Sequence, residues 1–158
     1  MPVLLLAIAV AAIDQGIKYY VQSHMTLGMS IPVINSVFHI TYILNPGAAF
    51  GMLEHQTKLF VVVAFILLAS LVYFYRQIAA GHWLLRLGAG LLAGGAAGNV
   101  IDRVTTGYVV DFLDFRIWPV FNSADIAIVT GVSCLIYILL FLPEMLPGST
   151  PGRPKKEG

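Results

Sequence analysis

Charge is what this chain has least of. Lys and Arg number 9 and Asp and Glu 8 among 158 residues, so 11% of the chain is charged, where an ordinary soluble domain carries about 25%. With 58% hydrophobic residues and a mean hydropathy of +0.84, that scarcity excludes a water-soluble globule and points to a membrane protein. The length suits one integral-membrane domain, residues 1–158, because each spanning helix takes roughly 20 apolar residues. A net charge of +1 excludes a basic face for nucleic acid, and none is expected as a partner. The basic cluster Arg153, Lys155 and Lys156 reads as a topology signal instead.

Cysteine is nearly absent as well. The single Cys134 lies in the apolar run "GVSCLIYILLFL", which excludes an internal disulfide and a cysteine metal cluster. Buried free cysteines usually behave as small hydrophobes, so Cys134 reads as packing. There is no His-Glu-x-x-His run for zinc and no Gly-x-Ser-x-Gly elbow, and His24, His39, His55 and His82 are scattered without an evident partner. No internal repeat is visible, and "LPGSTPGRPKKEG" predicts a disordered tail over about 147–158.

Apolar stretches run over about 2–21, 59–75, 84–101 and 124–142, and predict four transmembrane helices. The first resembles a secretory signal in length but lacks a basic leading region, so a retained helix is expected. Arg76 and Arg86 in the loop between the second and third spans, with the basic tail, place both termini in the cytoplasm. Lys58, Arg103 and Arg116 then fall on the outer side, the last two among aspartates that could pair with them. On that outer side, "IPVINSVFHITYILNPGAAFGML" and "GYVVDFLDF" are dense in β-branched and aromatic residues. They predict short strands forming a small extracytoplasmic β-sheet on the membrane surface, so the fold class is membrane all-α with a small β element.

The remaining polar residues are few enough to weigh singly. Asp14 sits inside the first apolar run, where an ionisable group is costly and marks either function or a pair with Lys18 four residues on. Gly90, Gly94 and Gly98 recur every four residues, a ridge for close helix packing. Asn99, Asp102 and Arg103 follow it on one side of the same helix, as a polar cap or as interfacial ion pairing. Asp111 is embedded among Tyr108, Val109, Val110 and Phe112, and Asp125 opens the fourth span in "FNSAD". Asp125 alone could be a helix-start carboxylate favoured by the helix dipole.

Two acids flanking an apolar hairpin and returning to the same helix ends suggest more. Carboxylates within hydrogen-bond reach cannot both ionise easily, so one acts as base toward water while the other, protonated, polarises a carbonyl. Ser123 as a nucleophile is disfavoured, because no general base is identifiable from its spacing. One rival is a small transporter whose acids line an ion path; it requires acids spread through membrane depth. A non-catalytic scaffold using the glycine ridge is another, and it leaves Asp111 and Asp125 unexplained.

Five stretches in order, "DQGIKYYV", "ILNPGAAFGML", "GGAAGNVIDR", "GYVVDFLDF" and "FNSAD", make the chain resemble the bacterial lipoprotein signal peptidases, or signal peptidase II, over nearly its whole length. The resemblance implies an intramembrane aspartic endopeptidase of the bacterial cytoplasmic (inner) membrane. Its substrates would be prolipoproteins carrying a diacylglyceryl group, cut just before the lipobox cysteine. Asp111 and Asp125 match the catalytic pair. Asn45, Asn99, Arg103 and Asn122 match positions around the site, and Asp14 and Asp102 match supporting polar positions. Ser123 stands where the family pattern leads one to expect an aliphatic residue, and the Asp111 to Asp125 stretch is short, which bears on loop conformation rather than activity. The segment Ile31 to Leu53 could close over the peptide, and acyl chains could lie between helices. Neither a metal nor an organic cofactor is expected, membrane lipid is an expected partner, and the protein is expected to be a monomer.

Overall fold

The computed structural model describes residues 2–47 and 56–145. Helix α1 (Pro2–His24) leads into a hairpin of β1 (Ser30–Ile34) and β2 (Phe38–Asn45). Helices α2 (Thr57–Tyr73), α3 (Tyr75–Ala80) and α4 (Trp83–Thr106) follow, then β3 (Val109–Asp114) and α5 (Ser123–Phe141). The expected tail at 147–158 and the end of the expected lid, 48–53, lie outside the described residues.

Helices α1, α4 and α5 are long and apolar enough to cross a bilayer, while α2 has 17 residues. At 1.5 Å per residue it reaches only about 25 Å, somewhat short of a hydrocarbon core of about 30 Å. The missing length comes from α3, which follows after the single residue Phe74. Phe74 N–H still donates to Ser70 O at 2.9 Å and Phe74 O still accepts from Ile78 N–H at 3.0 Å, so α2 and α3 act as one bent rod. The second expected span, about 59–75, is therefore not one straight helix: it is offset at Phe74 and continued by α3.

Helix α4 is the buried axis, and its glycines explain why. A Cβ on Gly94 would stand 2.6 Å from Ala7 O and Val10 Cβ of α1, and one on Gly95 would stand 2.5 Å from Ala124 O of α5. Small residues let membrane helices approach until backbones touch, which maximises dispersion contacts where hydrophobicity cannot drive association. The Gly90, Gly94 and Gly98 ridge is thus used within one chain, against α1, while Gly88 and Gly95 serve the α5 side of α4. Cys134 packs into the α4–α5 contact opposite Gly88, as a small hydrophobe would. Large apolar side chains such as Leu4, Ile8, Val62, Ile66, Leu139 and Leu140 point outward, the surface a bilayer requires.

The strands form one antiparallel sheet in the order β1-β2-β3 at one end of the bundle. Their β-branched and aromatic content favours the pleated surface, and Pro32 is tolerated because β1 is an edge strand. The Ser30, Thr41 and Asp114 side chains link all three strands through bonds of 2.8 Å each. Arg116 completes this chain, donating its backbone N–H and its guanidinium to Asp114 at 2.8 and 2.9 Å. Burial works against charge on Asp114, yet the bonds from Thr41 and Arg116 hold its carboxyl below the usual carboxylate range. Gly107, in the left-handed region at φ 84°, ends α4 and turns the chain into β3.

Candidate active site

Five elements converge at the sheet end of the bundle: α1, β2, the C-terminal end of α4, β3 and the N-terminus of α5. Pairing of β2 with β3 sets Ile43 opposite Asp111 and Asn45 opposite Val109, so Asn45 and Asp111 are near neighbours across the sheet. Asn45 Nδ2 donates to Asp111 Oδ2 at 2.8 Å, and Asn45 Oδ1 accepts from Gly47 N–H at 2.9 Å. From the other side, Asn122 Nδ2 donates to Asp111 Oδ1 at 2.6 Å.

Asp125 is fixed by the way α5 begins. Asn122 is its N-cap and Asp125 its third residue, in a reciprocal capping box. Asp125 N–H donates to Asn122 Oδ1 at 2.9 Å, and Asn122 N–H donates to Asp125 Oδ2 at 3.2 Å. The other carboxylate oxygen, Oδ1, accepts from Asn99 Nδ2 at 2.8 Å. The helix-start reading of Asp125 is therefore correct, and the same geometry leaves Asp125 lining the cleft that Asp111 also lines.

Both aspartates line a cleft of about 680 Å³ together with Asn45, Asn99 and Arg103. Its remaining walls, including Val109, Val120, Phe121, Ile126, Ile128 and Val129, are mostly apolar. Burial pushes the Asp111 carboxyl up to about 7; bonds from Asn45 and Asn122 and the charge of Lys18 pull it back, and the Asp125 charge adds to the rise. Near neutral pH this site can therefore hold one proton on one carboxyl beside a second carboxylate, as water activation needs.

Beneath the pair lies a buried polar layer. Lys18 Nζ contacts Asp14 Oδ2 and Asp102 Oδ2 at 2.8 Å each and donates to Asn99 Oδ1 at 2.9 Å. Asp14 Oδ1 accepts from Ser123 Oγ at 2.6 Å and from Ala124 N–H at 2.9 Å. Asp102 also accepts from Gln15 Nε2 at 2.7 Å and from Val110 N–H at 3.1 Å. Asp14 thus both pairs with Lys18 and supports the site, so its two readings are compatible. Asp102 pairs with Lys18 rather than with its neighbour Arg103. Arg103 turns to the cleft, donating to Gly47 O at 3.1 Å with its guanidinium 4.8 Å from the Phe60 ring centroid.

The structure brings together every residue singled out from the sequence: Asp14, Asn45, Asn99, Asp102, Arg103, Asp111, Asn122 and Asp125. Gln15 escaped notice, and Lys18 figured only as a helix partner for Asp14. The signal was present in Lys18, a cation inside an apolar span and only 1% exposed. Ser123 bonds to a helix-capping aspartate rather than to a base. Asp14, Asp102, Asp111 and Asp125 gather at one end of the bundle instead of spreading through its depth, which removes the basis for an ion path along them.

A helical membrane bundle with a cleft lined by a buried and a half-buried aspartate, Asp111 and Asp125, defines a membrane aspartic peptidase. Comparison with known proteins narrows this. The family model described as Signal peptidase (SPase) II matches residues 6–141. The lipoprotein signal peptidase of Moorella thermoacetica is 51% identical over 153 residues, 97% of this chain and 99% of that protein. That of Pelotomaculum thermopropionicum is 53% identical over 131 residues, 83% of this chain and 86% of its own length. A bacterial membrane enzyme solved in meso at 2.3 Å superposes with a TM-score of 0.82 at 35% identity, covering 99% of this chain and 94% of its own. The chain belongs to the signal peptidase II family.

Proposed function

We propose that Asp111 and Asp125 are the catalytic pair of an endopeptidase that removes signal peptides from prolipoproteins. The observation that carries this is the single residue Asn122, which holds both carboxylates at the floor of one cleft, one by its side chain and one by its backbone. Asp125, in the first turn of α5, sits where the helix dipole favours the carboxylate form. It takes a proton from water, and the oxygen of that water bonds to the scissile carbonyl carbon. Asp111, protonated, gives its proton to the carbonyl oxygen. Collapse of the tetrahedral intermediate breaks the C–N bond; Asp125 passes its proton to the departing amine, and Asp111 recovers its own.

The substrate is a precursor already carrying a diacylglyceryl group on its lipobox cysteine, cut on the amino side of that cysteine. Apolar cleft walls descending α5 from Asp125 to Val129 suit a lipidated residue whose signal peptide remains in the bilayer. Asn45, Asn99, Arg103 and Asn122 hold substrate or the aspartates, and Asp14 and Asp102 support them. The chain is one domain, monomeric, with both termini cytoplasmic and the cleft near the outer leaflet, and bilayer lipid covers its apolar girdle. Consumption of the glycine ridge inside the chain supports the monomer.

The test uses purified protein in detergent with a diacylglyceryl-modified precursor and its unmodified counterpart. Wild type should cut only the modified form, and Asp111→Asn and Asp125→Asn should each abolish cutting while remaining folded. Cutting that survives both substitutions refutes the aspartic mechanism.

A further inference from the structure

We propose that Lys18 is a positioning residue for proteolysis: its ammonium group is the hub through which helix α1 sets the placement of both Asp111 and Asp125. An ammonium has three donors and no acceptor. Those of Lys18 meet Asp14 Oδ2, Asp102 Oδ2 and Asn99 Oδ1 at 2.8, 2.8 and 2.9 Å. With its donors used and its side chain 1% exposed, Lys18 does not reach the cleft. Apart from the pull of its charge on the Asp111 carboxyl, any effect it has on the reaction passes through these three partners.

Each partner leads in one step to an aspartate of the pair. Asp14 Oδ1 receives Ala124 N–H, the residue before Asp125, and thereby seats the start of α5. Asp102 Oδ2 receives Val110 N–H, the residue before Asp111. Asn99 joins most directly. Its amide has an oxygen end and a nitrogen end, and a donor-only cation at 2.9 Å accepts only the oxygen. The nitrogen end is then left for Asp125 Oδ1. Reversal of that amide would set NH₂ against the ammonium and against the Asn122 amide NH₂, which also donates to Asn99 Oδ1 at 3.2 Å, and oxygen against the carboxylate, losing three bonds.

The fold has its own means of holding α1. The Gly90 and Gly94 contacts with Leu6, Ala7 and Val10 pack α1 on α4 below the polar layer. A buried cation in a membrane helix is costly unless fully paired, so Lys18 is an expensive way to fasten two helices that already interlock. Its position makes sense as a device for orientation. Lys18 has this role only if Asp111 and Asp125 are the catalytic pair proposed above.

The experiment measures kcat, KM and the pH profile of kcat on the lipidated precursor for wild type, Asp111→Asn, Lys18→Met and Lys18→Met/Asp102→Asn. The double variant keeps the net charge of the buried cluster and guards against misfolding caused by an unpaired carboxylate. Folding is followed by thermal unfolding and by monodisperse elution. The expected result is a folded Lys18→Met or double variant whose kcat falls on the order of 100-fold, as for misplaced reacting groups, with KM unchanged. Because the Lys18 charge pulls the Asp111 carboxyl down, its removal should also move the alkaline limb of the profile to higher pH. A folded variant with wild-type kcat and an unmoved limb overturns the role of Lys18. So does failure of both variants to fold, which would make the cluster a folding element. Persistent activity in Asp111→Asn would instead remove the catalytic pair itself, a separate outcome.

Discussion

Asn122 donates its side-chain amide to Asp111 Oδ1 across 2.6 Å. The same residue caps α5 and gives its backbone N–H to Asp125, so one side chain and one peptide unit frame both carboxylates. Asn122→Ala removes the bond to Asp111 and the cap while leaving the backbone N–H. Loss of the cap alone costs about 1 kcal/mol. The expected outcome is a modest fall in thermal stability with a fall in kcat on the order of 100-fold. Steady-state kinetics beside a melting curve checks this; equal, small losses in both would reduce Asn122 to a helix cap.

The Asp111 carboxyl, pushed up to about 7 by burial, makes both activity and stability depend on pH. As the proton donor it is competent below that value, so kcat should decline as pH rises through about 7. Stability moves in the same direction. An unfolded carboxyl releases its proton near pH 4, whereas the folded one keeps it to about 7, so the folded state binds more protons in between. The contribution of Asp111 is full below about pH 4 and gone above about pH 7, a swing on the order of 4 kcal/mol. Asp111→Asn should flatten this part of the profile. Melting temperatures from pH 4 to 8 for both proteins decide the matter, and parallel curves would refute it.

Ser123 separates structural from chemical roles. Its hydroxyl gives a 2.6 Å bond to Asp14, which still receives Ala124 N–H after the hydroxyl is removed. Ser123→Ala should therefore lower stability by about 1 kcal/mol, the net worth of one hydrogen bond. Hydrolysis should continue near the wild-type rate. Complete loss of cutting in a folded Ser123→Ala protein would return the hydroxyl to consideration as nucleophile.

Much of this architecture was legible in the residues because the chain has so few alternatives. An aspartate in a β-branched run is hard to explain by folding, whereas one at a span start also serves its helix; it is the two together that stand out, and both line the cleft. The sheet was legible for the same reason: in an apolar chain, runs too short for a span and rich in Val, Ile and Phe have few other uses. What escaped depends on how helices cross. The spacing of Asp14 and Lys18 reveals an ion pair on α1, but only the α1–α4 contact at Gly98 reveals that Asn99 and Asp102 complete it. A Cβ on Gly98 would stand 2.5 Å from Asp14 Oδ2. The offset at Phe74 was hidden because apolar composition continues through it unchanged, so hydropathy reads α2 and the start of α3 as one span.

Close helix approach and catalysis meet at Gly95. A Cβ there would stand 2.5 Å from Ala124 O and 2.9 Å from Ile128 Cγ1, and the first of these is backbone that cannot swing aside. Gly95→Ala must therefore push α5 away from α4 at the turn that carries Asp125. Overpacking of this kind costs about 1–3 kcal/mol, and displacement of Asp125 should depress kcat well beyond what partial unfolding explains. Gly16 is the control, because a Cβ there meets nothing within 4 Å. Gly16→Ala should be neutral or stabilising by up to about 1 kcal/mol, since alanine restricts the unfolded chain without crowding the helix. Melting curves and kcat for the two variants give the comparison. If Gly95→Ala keeps full activity, the α4–α5 contact does not govern the placement of Asp125.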